Sequence, residues 1–159
     1  MGRTRLGGMK NTPSGIDRAA PVVARRELPI RAPAPAVWAL LTYVPGWPTW
    51  QPDIAVARAL TPLTPGAVFH WRTGGVDVTS TVYAVDAPRS ILWGGLSQGI
   101  TAVHEWTFTP SSRATFVVTE ESWDGAPVQA DADAVTRALD RSLAQWLLHL
   151  KSAAERAAR

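Results

Sequence analysis

The stretch from Asp131 to Arg159 limits what this chain can fold into more than any other. Placed at 100° per residue, Val135, Leu139, Leu143, Trp146, Leu147, Leu150 and Ala154 fall within about a third of the helical circumference, the stripe of a helix packed on a core. Asp131 and Asp133 stand at its start and Lys151, Arg156 and Arg159 near its end, the charge order that complements a helix macrodipole. Gly125 and Pro127 break the chain just upstream. At 1.5 Å per residue, roughly 25 residues make a rod of about 38 Å, longer than the radius of a domain of this size. Such a rod must lie across something large.

Its partner is written in the middle of the chain, where the hydrophobic period changes to two. Six runs follow one another, at about Ile54–Thr61, Val68–Thr73, Val76–Val85, Ser90–Leu96, Thr101–Thr109 and Ala114–Trp123. Turn chemistry separates them: Thr64-Pro65-Gly66, Gly74-Gly75, Asp86-Ala87-Pro88, Ser97-Gln98-Gly99 and Pro110-Ser111-Ser112. Short strands with close turns predict an antiparallel meander. Ahead of them, Pro21–Arg31 reads as a first strand, with Pro29 suited to a sheet edge. Pro35 to Tyr43 then reads as a short helix with Pro35 in its first turn, and the Pro- and Trp-rich Pro45–Asp53 as a single helical turn or rigid loop. One strand, two short helices, six strands and one long helix make an α+β architecture, a sheet with helices on one face.

Length and composition narrow the chemistry. A chain of 159 residues is expected to form one domain, with a core large enough to need no staple. The absence of cysteine excludes disulfide frameworks, thiolate nucleophiles, Cys-ligated zinc and iron–sulfur clusters. Met1 to Ala20 has no apolar run of secretory type and no stretch approaches the ~18 apolar residues of a membrane span, so the expectation is a soluble, cytoplasmic protein. The net charge of +3 sits in the leading segment, which carries Arg3, Arg5, Lys10, Arg18, Arg25, Arg26 and Arg31 against Asp17 and Glu27. The rest of the chain is slightly acidic, which argues against a nucleic-acid-binding face. Residues 1–20, rich in Gly, Arg and small polar residues, are expected to be a flexible basic arm on a domain spanning 21–159.

This element order resembles the helix-grip fold, and the residues resemble its bacterial SRPBCC (START-like) branch, the polyketide cyclase/dehydrase and lipid-transport-like proteins. The resemblance rests on Ala32-Pro33-Ala34-Pro35-Ala36-Val37-Trp38-Ala39-Leu40-Leu41 and Trp47-Pro48-Thr49-Trp50-Gln51-Pro52-Asp53. It continues in Leu63-Thr64-Pro65-Gly66-Ala67-Val68-Phe69, Val85-Asp86-Ala87-Pro88-Arg89 and Trp106-Thr107-Phe108. It implies a curved seven-strand antiparallel sheet wrapped around the long C-terminal helix, with space for a ligand between them. It also implies three kinds of activity, since such proteins include ligand carriers, cyclases and chaperone-ATPase activators that act as protein-interaction modules; fold analogy does not choose among them.

Eight tryptophans give that implied space its character. The functional reading is an aromatic-lined cavity for a small hydrophobic, aromatic or polyketide-like molecule, with Trp50, Trp71, Trp93, Trp106, Phe108, Phe116, Leu143 and Trp146 as candidate walls. The plain alternative is a core filled by indoles. In the fifth run of the meander Ile100, Ala102, His104, Trp106 and Phe108 share the inner side; in the sixth, Phe116, Val118, Glu120 and Ser122 are taken as the inner set. For the earlier strands, Phe69/Trp71 and Val68/His70 both satisfy an inward face. On this reading His104 and Glu120 come within reach across adjacent strands, either as a general acid/base pair or as a buried polar pair satisfying itself.

Other motifs carry less. His70 and Asp77 flank the Gly74-Gly75 turn and are expected to be solvated, and His149 lies at the boundary of the helical stripe. The histidine spacing matches no metal site, so neither metal nor cofactor is expected. Gly95-Leu96-Ser97-Gln98-Gly99 spells a nucleophile elbow, but the run after it is a strand rather than a helix, so it reads as a hairpin loop. The expected partner is a small hydrophobic molecule, on a monomer or homodimer.

Overall fold

The structure, a computed structural model, describes residues 11–159. Seven strands form one antiparallel sheet: β1 (Val22–Ile30), β2 (Ile54–Ala59), β3 (Val68–Thr73), β4 (Val76–Asp86), β5 (Ser90–Ser97), β6 (Ile100–Pro110) and β7 (Thr115–Asp124). Their order across the sheet is β1-β7-β6-β5-β4-β3-β2. The meander β2 to β7 is therefore continuous, and β1 closes it by pairing with β7. That leaves β1 at an edge, the place in a sheet where a proline such as Pro29 is tolerated.

Between β1 and β2 lie α1 (Ala34–Thr42), entered through the Pro33 cap and Pro35, and a 3₁₀ segment (Val44–Thr49). After β7 a four-residue helix, α2 (Ala126–Gln129), turns the chain into α3 (Ala132–Ala157). Asp131 caps α3, its Oδ1 accepting from the Ala134 amide at 3.2 Å. The helix buries Leu139, Leu143, Trp146, Leu147, Leu150, Ala153 and Ala154 against the concave side of the sheet. At one end it is tied to β1 by Arg26, whose Nε donates to Asp140 Oδ1 at 2.8 Å. At the other, Glu155 accepts from the Arg31 amide at 3.0 Å. This is a helix-grip fold of the α+β class.

The expected flexible arm divides in two. Residues 1–10 lie outside the described residues. Residues 11–20 run along the convex face of β6 and β7, where the Asp17 amide donates to Ser122 Oγ at 2.9 Å and Arg18 pairs with Glu120 at 2.9 Å.

The hairpins follow their turn residues. Gln98 and Gly99 both have positive φ, 50° and 79°, the two-residue turn that matches strand twist. The Gly95–Gly99 sequence is thus strand–turn–strand, without the helix a nucleophile elbow requires. Across the β3–β4 hairpin His70 shares a hydrogen bond with Thr79 rather than meeting Asp77, which pairs with Arg72.

Candidate functional site

The concave face holds two different environments. Around the middle of α3 the indoles interlock. Trp47 is fully buried, donates its N–H to the Leu41 carbonyl at 2.8 Å, and has Phe69, Trp71, Trp93 and Trp146 with ring centroids at 5.2–5.9 Å. Trp146 also packs on Trp50 and Trp106 at 5.8 Å. Most of these pairs are edge-to-face, the arrangement the ring quadrupole favours. The space expected beneath Leu139–Trp146 is therefore occupied by side chains: Trp50, Trp106 and Trp146 belong to this core, Phe108 continues it against Trp38, and Leu143 is buried in a second cluster with Val22, Ala24, Val128 and Leu139.

Beyond the indole core, toward the β3–β4 and β5–β6 turns, the sheet is less filled. A cavity of about 250 Å³ opens there, with Trp71, Trp93 and Trp123, the aliphatic Val76, Val78, Ile100 and Ala102, and the polar Ser80, His104 and Glu121 on its walls. α3 supplies none of its lining among the described residues. Part of the reason is in β5: Gly95, in register with Ala102 on the concave face, brings no side chain to the wall. At Gly94 a Cβ would stand 2.1 Å from the Ala102 carbonyl oxygen, so the close approach of β5 and β6 requires glycine. A larger hollow, about 710 Å³, lies between α1 and the β2–β3 connection beside exposed Tyr43 and Leu60. It has no acid, imidazole or basic side chain on its walls, so the chemistry converges on the smaller cavity.

The β6–β7 register corrects one sequence expectation. His104 stands opposite Glu121, and Glu120 stands opposite Glu105. Side chains alternate along a strand, so Val117, Thr119, Glu121 and Trp123 face α3 while Phe116, Val118, Glu120 and Ser122 face the other way. Glu120 cannot reach His104; its carboxylate is held on the convex side by Arg18 and Arg25. Phe116 is on that side too, 39% exposed. Of the sequence candidates, the structure brings Trp71, Trp93 and His104 together at the cavity. The sequence reading missed Glu121, Trp123 and Ser80. A signal for the first two was present: a hairpin closed near Thr109 and Ala114 puts the odd-numbered residues of the last strand opposite His104.

The polar end of the cavity is sparingly satisfied. Glu121 Oε1 accepts from Trp123 Nε1 at 2.8 Å, and Oε2 lies 3.6 Å from His104 Nδ1, beyond a normal hydrogen bond. His104 Nε2 shares a 2.7 Å hydrogen bond with Thr119 Oγ1, and Trp71 Nε1 donates to Ser80 Oγ at 3.1 Å. Burial disfavours charge on both titratable groups. It pushes the His104 imidazole down to about 3. It pushes the Glu121 carboxyl up to about 7, against the smaller opposing pull of the Trp123 N–H. A neutral imidazole beside a carboxyl that titrates near neutrality is therefore the resting state. Among the described residues no group of three or more His, Cys, Asp or Glu side chains is placed to hold a metal ion, and no helix is long and apolar enough to cross a membrane.

Residues 21–155 match the family model described as polyketide cyclase / dehydrase and lipid transport. The chain belongs to that family. No curated protein matches it. Solved structures similar to this polyketide cyclase/dehydrase family member include a hypothetical protein from Helicobacter pylori, at 17% identity and TM-score 0.78, covering 96% of this chain and 99% of that one. A START superfamily protein from Mycobacterium smegmatis has 13% identity and TM-score 0.74, covering 85% and 98%. The Zhui aromatase/cyclase from a Streptomyces species has 20% identity and TM-score 0.74, covering 86% and 95%. At these identities the likeness is one of fold, and the family assignment supports a hydrophobic-ligand-binding or polyketide-cyclase type of protein.

Proposed function

We propose that the protein binds a small apolar ligand with an aromatic body in the Trp71–Trp93–Trp123 cavity, oriented by the polar groups at its His104–Glu121 end. The observation that carries this is a pocket with apolar walls and a few convergent polar atoms, in a domain whose remaining concave face is packed shut. At about 250 Å³ it suits a one- or two-ring molecule better than a long polyketide chain or a lipid. Three of the lining residues are tryptophans, so the reading is tested by titrating intrinsic fluorescence with a panel of small aromatic compounds. Saturable quenching or a blue shift supports it; a flat response across the panel, with a crystal structure showing the cavity closed, overturns it.

A second reading is supported by the Glu121 carboxyl, a proton donor and acceptor poised near neutrality on the cavity wall. In a cyclase- or dehydratase-type reaction Glu121, positioned beside His104, would exchange a proton with the carbon next to a ligand carbonyl. The test is solvent deuterium incorporation into an enolisable aryl ketone. Incorporation by the protein and its loss in Glu121→Gln support the enzyme; no incorporation above buffer leaves a binding protein.

A further inference from the structure

Glu121 has a property that an all-apolar ligand would leave unused. It is a carboxyl whose side chain is only 14% exposed, and it has no Lys or Arg partner among the described residues. The charged and titratable groups packed around it do not supply one. On β6 its neighbour is His104, held neutral by burial. On β1 the residue in register is Ala24, and Arg26, one step along the same face, is occupied by Asp140 of α3. α3 and α2 contribute Leu139, Leu143 and Val128 to the cluster beside it. Glu105 and Glu120 lie on the other face of the sheet. A buried carboxyl is ordinarily paired, and this one lies on the wall of a cavity lined by three indoles, its Oε2 having no nearer polar neighbour given than His104 Nδ1 at 3.6 Å. Indoles and a carboxylate together are what a desolvated ammonium group binds: ring quadrupoles attract the cation and the carboxylate neutralises it through charge-assisted hydrogen bonds.

We infer that the ligand of this cavity is a primary or other protonated amine on a small apolar body, with Glu121 as its counter-charge and Trp71, Trp93 and Trp123 around it. This rests on the binding reading given above and names its ligand class. Because burial holds Glu121 largely protonated below neutrality in the protein alone, cation binding displaces a proton from that carboxyl. Affinity for the amine therefore rises with pH through about 7 and then levels, whereas affinity for an uncharged analogue of the same shape does not change.

The test uses three probes on the full chain: 2-phenylethylamine, its neutral counterpart 2-phenylethanol, and the anion 3-phenylpropionate. Calorimetry and tryptophan fluorescence at about pH 8 are expected to rank amine over alcohol by about tenfold or more, with the anion weakest. At about pH 5.5 the advantage of the amine shrinks severalfold while the alcohol is unaffected. Glu121→Gln keeps an oxygen to accept the Trp123 N–H; it should abolish both the preference and its pH dependence, so that amine and alcohol bind alike. Equal binding of amine and alcohol, unchanged in Glu121→Gln, overturns the amine assignment and leaves the binding site standing. No binding of any probe at either pH overturns both. Glu121→Asp, if Glu121→Gln fails to fold, is expected to retain the preference for the amine at reduced affinity; its loss there also contradicts the assignment.

Discussion

Glu121 and His104 stand directly opposite one another in the β6–β7 register, 3.6 Å apart, and burial moves their proton affinities in opposite directions. The two shifts act oppositely on stability. Glu121, raised in the folded state from 4.5 to about 7, contributes stability that is fully present below about pH 4.5 and lost as pH rises toward 7. His104, lowered from 6.5 to about 3, contributes stability present above about pH 6.5 and lost as pH falls toward 3. Between about pH 4.5 and 6.5 the slopes cancel, so this pair leaves the wild-type melting temperature nearly flat there. Removing one partner exposes the other: Glu121→Gln should lose stability on acidification from pH 6.5 to 4.5, and His104→Gln should gain it. Thermal melts across that range check both signs, and parallel profiles for the two variants would show the pair to be exposed and ordinary.

Trp146 belongs to the packed indole core rather than to the cavity wall. Trp146→Ala removes contacts with five aromatic rings and should cost about 3 to 5 kcal/mol, lowering Tm by roughly 10 °C. A near-wild-type melt would mean that α3 faces empty space after all.

Glu120 is predicted to be dispensable for ligand binding. Its partners Arg18 and Arg25 are largely exposed on the convex face, so Glu120→Gln should change stability by no more than about 1 kcal/mol. Parallel titrations of Glu120→Gln and Glu121→Gln with the same probe compare the two faces of one strand. The former is expected to match wild type.

The fold was legible because its signals are periodic. The α3 stripe from Val135 to Ala154, the six alternating runs and the Gly- and Pro-bearing turns each constrain a whole element, and errors at single residues average out. The site was legible only in part, because it depends on the phase of one strand. In β7 both faces carry apolar and acidic residues, Phe116 and Glu120 on one, Val117 and Glu121 on the other. The strand buries a carboxylate and exposes a phenylalanine, the reverse of what hydropathy favours. Segment 11–20 explains part of this: it covers Ser122 and brings Arg18 to Glu120, which makes the convex face hospitable to an acid. The cavity's position was hidden for a different reason. Eight tryptophans signal abundant aromatic surface, but whether indoles line a space or fill it is fixed by their mutual packing, which composition does not encode.

The proposed ligand occupies the space above Ala102, which lies in register between Gly95 and Trp123 on the cavity wall. The most direct measurement is the tryptophan fluorescence titration with 2-phenylethylamine and 2-phenylethanol, run on wild type and on Ala102→Leu. The added side chain fills part of the cavity without touching His104 or Glu121 chemically. Binding is expected to weaken about tenfold or more from wild type to Ala102→Leu, with the two proteins melting within a few degrees of each other. Binding that is unaltered by the filled cavity, or that follows the α1 groove beside Tyr43 and Leu60 instead, would contradict the proposed placement.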